Sequence, residues 1–187
     1  MRDLARWNEK MRGFYIEHSQ FTDRIKEDLK TIPESDSLPE VVKSCYITSP
    51  TGYGKTLYAC WLLLREQRNI FLKAEEVKTC EFVSIPVLFD QIKFTFNNSD
   101  NTISEHSLIE KYSNVHLLIL DDLGTKKCTD WVLDTLYLII NNRYEGLKKT
   151  IITSNLTLKQ LAKNFGDDRI TSRIERMCEI IIKDNWK

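Results

Sequence analysis

Residues 49–56 read SPTGYGKT and combine residue types that bind phosphate. Gly52 and Gly54 can adopt left-handed backbone angles that turn consecutive N–H groups toward one anion. Lys55 supplies a positive charge for the β- and γ-phosphates of a nucleotide, and Thr56 supplies a hydroxyl ligand for Mg²⁺. The end of the string matches the phosphate-binding loop G-x-x-x-x-G-K-[ST]. The predicted ligand is therefore the phosphate chain of a nucleotide.

Ser49 stands where this pattern has its first glycine. That position is the exit of the preceding strand, where a small residue suffices if its φ stays negative. Pro50 favours such an extended conformation at the residue before it. We therefore predict a working loop, whose nucleotide-binding residues are Pro50, Thr51, Gly52, Tyr53, Gly54, Lys55, Thr56 and Leu57.

Two acidic residues end the apolar run HLLILDD at 116–122, which reads as a buried parallel strand. In phosphate-loop ATPases, a carboxylate in this position holds Mg²⁺ and a neighbouring acid polarises the attacking water. Asp121 fits the first role and Asp122 the second. Acids after a strand also form turns or cap helices. Their position about 65 residues after Thr56 favours a site for ATP or ADP with Mg²⁺.

Further polar residues could complete this site. Asn155 follows the predicted strand at 149–155 and could contact the γ-phosphate or the attacking water. It could instead form an Asx-turn or cap the next helix. Arg169, Arg173 and Arg176 are spaced four and three apart, which places two or three of them on one helical face. Such a face is either a solvated surface or the source of an arginine finger for a nucleotide.

The elements that must position these residues alternate between strand and helix. This alternation predicts a parallel sheet covered on both faces by helices. Residues 81–96 read as a strand that turns into a helix. The other predicted strands are 41–49, 116–122, 149–155 and 178–183, and the predicted helices are 56–67, 130–145, 157–165 and 167–177.

The first 31 residues are predicted to be helical, with Trp7, Phe14 and Phe21 spaced seven apart on one face. This stripe could pack on the core of the same chain or dock a partner protein. A connector rich in proline and serine follows at 32–40.

Length and composition favour one ordinary globular domain. The chain has 187 residues, with 27 Lys plus Arg against 27 Asp plus Glu. This balance argues against a protein that coats a polyanion, although a local basic patch remains compatible with it. No apolar run approaches the roughly 20 residues of a membrane helix. Five scattered cysteines suggest buried small side chains in a reducing compartment. A cytoplasmic protein without a membrane partner is expected.

Taken in order, the strings SPTGYGKT, FVSIPVLFDQI, HLLILDDLG, TDWVLDTLYLIINNRYE, TIITSNL and DDRITSRIERM resemble one family. It is the AAA+ module of bacterial replicative-helicase loaders of the DnaC/DnaI type. The resemblance covers about residues 41–183. The related IstB-type transposition ATPases share much of the same pattern.

This resemblance implies a three-layer α/β P-loop NTPase fold of the additional-strand AAA+ type. Its five-stranded parallel sheet would place the strand of Asp121 between the second strand and the strand that precedes Asn155. No C-terminal helical lid is expected, because the sequence stops soon after the last strand. The implied division is a helical segment with linker over 1–40 and an AAA+ ATPase domain over 41–187.

The resemblance also implies a weak, Mg²⁺-dependent ATPase that assembles side by side with copies of itself. Asn155 corresponds to sensor 1. Arg173 corresponds to the arginine finger, with Arg169 as the second choice. The implied catalytic residues are Lys55, Asp122, Asn155, Arg173 and Arg169, and the implied metal ligands are Thr56 and Asp121.

Residues 92–113 match the place where initiator-type members carry an extra helix that faces DNA. Lys93, Phe94 and Phe96 could there bind single-stranded DNA by charge and stacking. The two phenylalanines could equally belong to the core.

The predicted function is an ATP-dependent loader that binds a hexameric DnaB-type replicative helicase and single-stranded DNA during replication initiation. One alternative is an IstB-like transposition helper ATPase. Another is a non-catalytic adaptor, in which nucleotide stabilises the fold and the helix of Trp7 and Phe14 binds the partner. A small-molecule kinase would need a lid and a substrate-binding insertion, and neither is evident.

Overall fold

The structure is a computed structural model that describes residues 11–17, 19–31, 38–73, 78–97, 104–125 and 129–182, with no side-chain description for 96 and 97. From residue 45 onward, strands and helices follow the predicted order, with one additional helix at residues 105–114. In chain order the elements are α1 (Arg12–Glu17), α2 (Asp23–Thr31), β1 (Cys45–Thr48), α3 (Lys55–Leu72), β2 (Cys80–Ser84), α4 (Ile85–Asn97), α5 (Glu105–Asn114), β3 (Leu117–Leu123), α6 (Asp130–Glu145), β4 (Lys149–Ser154), α7 (Leu158–Phe165), α8 (Arg169–Met177) and β5 (Glu179–Ile182).

The five strands form one sheet in the order β2-β3-β4-β1-β5, and every pair is parallel. The predicted five-stranded parallel sheet is confirmed, as is the place of β3 between β2 and β4. Because parallel strands share one carboxyl edge, the residues that follow β1 and β4 lie at the same edge as the last residues of β3. The loop at 49–54, the acid pair and Asn155 are therefore brought to one side of the domain.

Strand residues alternate between two hydrophobic clusters, one on each face of the sheet. In β3, Leu118 and Leu120 belong to one cluster, whereas Leu117 and Ile119 belong to the other. The first face is covered by side chains from α4 to α8. The second face is covered mainly by α3, with α1 and α2 packed beside it. The helices on both faces confirm the predicted three-layer arrangement.

The N-terminal segment differs from the single helix predicted for residues 1–31. Its described part contains two helices, α1 and α2, separated by non-helical residues that include Phe21. Phe21 is buried, and its ring packs edge-to-face against Phe82 of β2 with 5.4 Å between centroids. Phe14 is 51% exposed, and Trp7 lies outside the described residues. The stripe is therefore divided, because Phe21 leaves the helix to enter the core.

Two other helices also depart from the sequence prediction. α5 was not predicted from the residue pattern, since its N-terminus uses the pair Ser104 and Ser107 rather than the usual Ser with Glu. α3 runs to Leu72, five residues beyond its predicted end. Its polar second half is held by tertiary contacts: buried Glu66 accepts hydrogen bonds from both His116 and Lys149.

A fully buried arginine links three elements at the edge of the sheet opposite the loop. Arg143 of α6 donates to the backbone oxygens of Tyr112, Val115 and Lys149 and to the hydroxyl of Thr150. The carbonyl of Tyr112 lies in the last turn of α5, where carbonyl groups lack intrahelical partners. Burial lowers the pKa of Arg143 to about 10. Its side chain therefore fixes α5, α6 and β4 against one another.

Three of the four cysteines in the described residues, Cys45, Cys60 and Cys178, are buried, which confirms the predicted role of small core side chains. Burial raises the pKa of the Cys45 thiol to about 12. Cys128 lies outside the described residues. Among the helices described here, none is long and apolar enough to span a membrane.

Candidate nucleotide-binding site

The loop after β1 has the backbone that its glycines predict. Gly52 and Gly54 have φ angles of 87° and 84°, in the left-handed region that other residues rarely adopt. Gly54 is also the residue before α3, so the first N–H groups of this helix face the loop. Ser49 is buried, and its hydroxyl has no hydrogen-bond partner among the described residues. It occupies the strand exit, as predicted.

Other loop residues are accessible to a ligand. Pro50, Thr51 and Gly52 are exposed, and Tyr53 is 36% exposed. Leu57, in the first turn of α3, is half-buried and packs against the cluster on the α3 face of the sheet. The loop therefore presents its backbone to solvent while its helix is anchored in the core.

Lys55 is the central side chain of the site. It is buried, and its Nζ donates to the backbone oxygens of Ser49 at 2.8 Å and Pro50 at 3.0 Å. A third hydrogen bond, of 2.7 Å, reaches Oδ1 of Asn155. The structure thus brings together the predicted lysine of the loop and the predicted polar residue after β4.

Burial changes the pKa of both Lys55 and Asp121. Burial lowers the pKa of Lys55, and the carboxylates of Asp122 and Asp121 act in the opposite direction. Burial raises the pKa of Asp121 to about 6, opposed by hydrogen bonds from Thr153 and Thr56. Both acids lie near the end of β3, at the carboxyl edge of the sheet where the loop after β1 also lies. The contact between Thr56 and Asp121 joins the two predicted metal ligands.

The acid pair lies on a bulge of β3. Regular pairing with β4 is interrupted between Leu120 and Leu123, and Asp122 has a φ of 62°. Consecutive side chains of a regular strand point to opposite faces, so a bulge is needed to direct both carboxylates toward one site. Thr153 of β4 contacts both acids: its hydroxyl donates to Oδ1 of Asp121 at 2.6 Å and accepts from the backbone N–H of Asp122 at 3.0 Å.

Hydrogen bonds made by the residues on either side of Asn155 hold the turn after β4. Ser154 donates to the carbonyl of Leu123 at 2.6 Å, and Tyr46 and Thr48 both donate to the carbonyl of Leu156. The helix cap proposed as an alternative role for Asn155 is wrong. Thr157 caps α7, in a reciprocal pair with Gln160.

The two arginines proposed as fingers have different environments on α8. Arg169 forms ion pairs with Asp167 and Asp134. The half-buried Arg173 donates from Nε to Oδ1 of Asn141 at 2.8 Å. Its guanidinium lies 5.1 Å from the ring centroid of Tyr144. In the described part of the chain, Arg173 thus contacts neutral groups where Arg169 contacts carboxylates.

An open groove of about 500 Å³ separates α4 from α5. Phe94 and Val87 both line this groove, and their side chains are 58% and 50% exposed. The core position considered for Phe94 is therefore wrong. Lys93, its neighbour, is exposed, and the side chain of Phe96 lies outside the description.

The sequence analysis did not single out two structurally important side chains, Thr153 beside the acids and Arg143 at the opposite edge of the sheet. Thr153 and Arg143 are each polar residues at fully buried positions. The signal for Thr153 was its place in the buried run TIITS, in a strand that neighbours the acids. Arg143 lies in the string IINNRY, where the helical pattern places it on the buried face. In both cases the partners come from distant segments, so the pattern alone could not identify the contact.

The residues present fit a Mg²⁺-nucleotide. Left-handed glycines at 52 and 54 leave the loop backbone open, and a Cβ at Gly52 would meet no atom of the described residues within 4 Å. The acid Asp121 and the hydroxyl of Thr56 are oxygen ligands of the kind that Mg²⁺ prefers. The buried Lys55 interacts electrostatically with Asp121, so its charge lies beside the same group of oxygen ligands. The donor set suits a phosphate chain and its divalent cation.

Comparison with known proteins agrees with this geometry. The family model described as IstB-like ATP binding protein matches residues 13–183. The Phage-like element PBSX protein XkdC of Bacillus subtilis (strain 168) is 30% identical over 169 residues, which are 85% of this chain and 59% of XkdC. The replicative helicase loader DnaC of Buchnera aphidicola subsp. Baizongia pistaciae (strain Bp) is 28% identical over 58% of this chain and 44% of its own length.

Among solved structures, the crystal structure of the DnaC helicase loader matches with a TM-score of 0.61 and 26% identity. The match covers 85% of each of the two chains. The present chain thus has the AAA+ P-loop fold, although it spans only 44–59% of the two curated relatives named above. The match to the family model over nearly the whole sequence shows that this chain belongs to the IstB-like ATP binding protein family.

Proposed function

We propose that this protein is a weak Mg²⁺-dependent ATPase that loads a hexameric DnaB-type replicative helicase onto single-stranded DNA. The observation that carries the ATPase proposal is the network from Asn155 through Lys55 to the acid pair, which unites the ends of three parallel strands. The relatives named as helicase loaders support the partner. Membership of an ATP-binding family supports the nucleotide.

Each side chain has a role that follows from its position. The loop backbone and Lys55 bind the phosphates, and Thr56 and Asp121 hold Mg²⁺. The bound Mg²⁺ would neutralise charge on the phosphate oxygens. Asp122 polarises the attacking water, and Asn155 orients it near the terminal phosphate. Asp122 has one methylene fewer than glutamate, so its carboxylate reaches less far, and we expect slow turnover.

Side-by-side assembly would supply Arg173 to the nucleotide of a neighbouring subunit. Asn141 and Tyr144 hold its guanidinium without neutralising it, so its charge remains available to an anion. Arg169 would first have to leave its two carboxylates. This difference favours Arg173 as the finger.

Single-stranded DNA would contact the exposed pair Lys93 and Phe94 on α4. A base can stack on Phe94 while Lys93 binds the backbone phosphate. The neighbouring groove between α4 and α5 provides space beside the ring. We expect Phe94→Ala to weaken DNA binding about tenfold and to leave nucleotide affinity unchanged.

Nucleotide binding is tested by titrating the protein with fluorescent ADP in the presence of Mg²⁺. We expect saturable binding that is lost in Lys55→Ala. Lys159→Ala, which removes an exposed lysine of α7, serves as the matched control. The proposal is overturned if the wild-type protein binds neither ADP nor ATP. The loading step is tested by transfer of the host's replicative helicase onto circular single-stranded DNA, with and without ATP.

A transposition helper ATPase is the second candidate, because the matching family model is named for IstB-like proteins. The same site chemistry would then act on a transposase complex. Pull-down from the native host distinguishes the two candidates: recovery of a transposase and no helicase would favour the helper.

A non-catalytic adaptor is the third candidate, supported by the exposed ring of Phe14 on α1. This candidate predicts partner binding and remodelling that are indifferent to Asp122→Asn and Arg173→Ala. The ATPase proposal predicts that both substitutions abolish remodelling while the fold is retained.

A further inference from the structure

We infer that Thr153 is a positioning residue that fixes the geometry of both acids through its single hydroxyl group. The inference rests on the proposed Mg²⁺-ATP chemistry and concerns how the acid pair is held. Thr153 lies in β4, and its exposed fraction is 0%. It is not part of the phosphate loop or of the acid pair itself.

The directions of its two hydrogen bonds are fixed by chemistry. The backbone N–H of Asp122 can only donate, so the Thr153 oxygen is the acceptor in that 3.0 Å contact. The hydroxyl proton is then free for Oδ1 of Asp121, 2.6 Å away. One hydroxyl thus uses its acceptor and its donor capacity on consecutive residues of β3.

The bulge explains why a side chain is required at this point. Pairing of β3 with β4 stops at Leu120 and resumes at Leu123. Between them, Asp121 and Asp122 lie opposite the single residue Thr153, so the extra residue has no partner in the ladder. The Thr153 hydroxyl replaces the missing partner of the Asp122 N–H. It thereby supports the left-handed backbone of Asp122, whose φ is 62°.

The same bond restrains the proposed metal ligand. With Oδ1 held by Thr153, the Asp121 carboxylate cannot rotate freely about its side-chain bonds. Hydrogen bonds to a metal ligand of this kind orient it before the metal binds. Loss of the hydroxyl should therefore weaken Mg²⁺ binding in the nucleotide complex more than it weakens binding of the nucleotide to the loop.

The test compares Thr153→Val, which keeps the shape and removes the hydroxyl, with Thr153→Ser, which keeps the hydroxyl. The matched control is Thr135→Val in α6, where another fully buried threonine donates to a carboxylate, that of Glu105. ATPase rates are measured as a function of Mg²⁺ concentration. ADP affinity is measured in EDTA, and thermal unfolding is followed for each variant.

We expect Thr153→Val to raise the half-saturating Mg²⁺ concentration about tenfold and to lower kcat by a similar factor. Its ADP affinity in EDTA should stay within about twofold of the wild type. Thr153→Ser, which keeps the hydroxyl, should have a half-saturating Mg²⁺ concentration close to that of the wild type. Thr135→Val should lose stability without any change in Mg²⁺ dependence.

Either of two results would overturn this inference and leave the proposed function standing. One is wild-type Mg²⁺ dependence in Thr153→Val, and the other is an equal loss of activity in Thr153→Val and Thr135→Val. If Thr153→Val does not fold, Thr153→Cys replaces it, because a thiol is a weaker donor than a hydroxyl. Equal Mg²⁺ dependence of the Cys and Ser variants would then contradict the inference. A wild-type protein that binds no nucleotide overturns the proposed function, and this inference with it.

Discussion

Lys55 and Asn155, 100 residues apart in the chain, are joined by a hydrogen bond of 2.7 Å between Nζ and Oδ1. The bond connects the first turn of α3 to the turn after β4. It also places a neutral oxygen against a buried cation whose other two hydrogen bonds, among the residues described, go to backbone carbonyls. The proposed sensor residue and the proposed phosphate ligand are therefore parts of one network.

Asn155→Ala should separate binding from turnover. Lys55 keeps two carbonyl partners in this variant, so the loop should retain ADP affinity within about threefold, whereas kcat should fall about tenfold or more. Steady-state ATPase rates and ADP titration measure the two quantities. Asn164→Ala, which removes an amide bonded to the carbonyl of Gly124, is the control and should keep its kcat. Loss of ADP affinity at normal kcat would contradict the proposed role of Asn155.

Asp121→Asn should stabilise the protein when Mg²⁺ and nucleotide are absent. Burial raises the pKa of Asp121 from 3.8 to about 6, so the folded state favours the protonated acid. The stability that the folded state gains from this protonated carboxyl group is full below about pH 4 and is lost as the pH rises through about 6. Near pH 7 the variant should gain on the order of 1–3 kcal/mol over the wild type. Urea unfolding at pH 4 and pH 7 measures this: a gain that is the same at both pH values would contradict the prediction.

Arg143→Met should be strongly destabilising, although Arg143 lies outside the proposed site. The substitution keeps apolar volume but leaves the carbonyls of Tyr112, Val115 and Lys149 without their donor. We expect a loss of about 3 kcal/mol or more. Urea denaturation measures the loss, and Arg176→Met at an exposed position of α8 should change stability by less than about 0.5 kcal/mol. Similar small effects in both variants would show that Arg143 is not a structural link.

Gly52→Ala and Gly124→Ala should differ in how much they destabilise the fold. Both glycines have left-handed φ angles, which cost an alanine about 1–2 kcal/mol. Within the part of the chain that the structure describes, a Cβ at Gly52 would meet no atom within 4 Å, whereas one at Gly124 would lie 2.6 Å from a methyl group of Leu161. Thermal unfolding should therefore show the larger loss for Gly124→Ala. The prediction fails if Gly52→Ala is the less stable variant.

If Arg173 acts on the nucleotide of a neighbouring subunit, an assembly made only of Arg173→Ala subunits should have no ATPase activity. Mixing Arg173→Ala with Lys55→Ala subunits should then restore part of the activity, because some interfaces combine an intact loop with an intact arginine. Arg169→Ala should retain most activity, since Arg169 is engaged by Asp167 and Asp134. No recovery on mixing would indicate that Arg173 acts within its own subunit or has a structural role.

The residue pattern alone predicted the parallel sheet and the polar residues that lie at its carboxyl edge. The apolar runs that lead into SPTGYGKT, DD and SN can be recognised locally. The hydrophobic pattern of a buried strand and the glycine motif of a loop are both formed by adjacent residues. The bounds of α6 and the start of β4 were also predicted correctly. The position of Phe94 was left open, since a helix of apolar residues can be buried on more than one side.

Only the tertiary structure decided how the site is assembled. The bulge that turns Asp121 and Asp122 toward one side depends on Thr153 from another strand. The break at Phe21 depends on Phe82, in a strand about 60 residues later. These contacts join segments that are far apart in sequence, and no local pattern encodes their distances. The sequence thus determined which groups meet at the edge of the sheet, and packing between the strands determined their orientation.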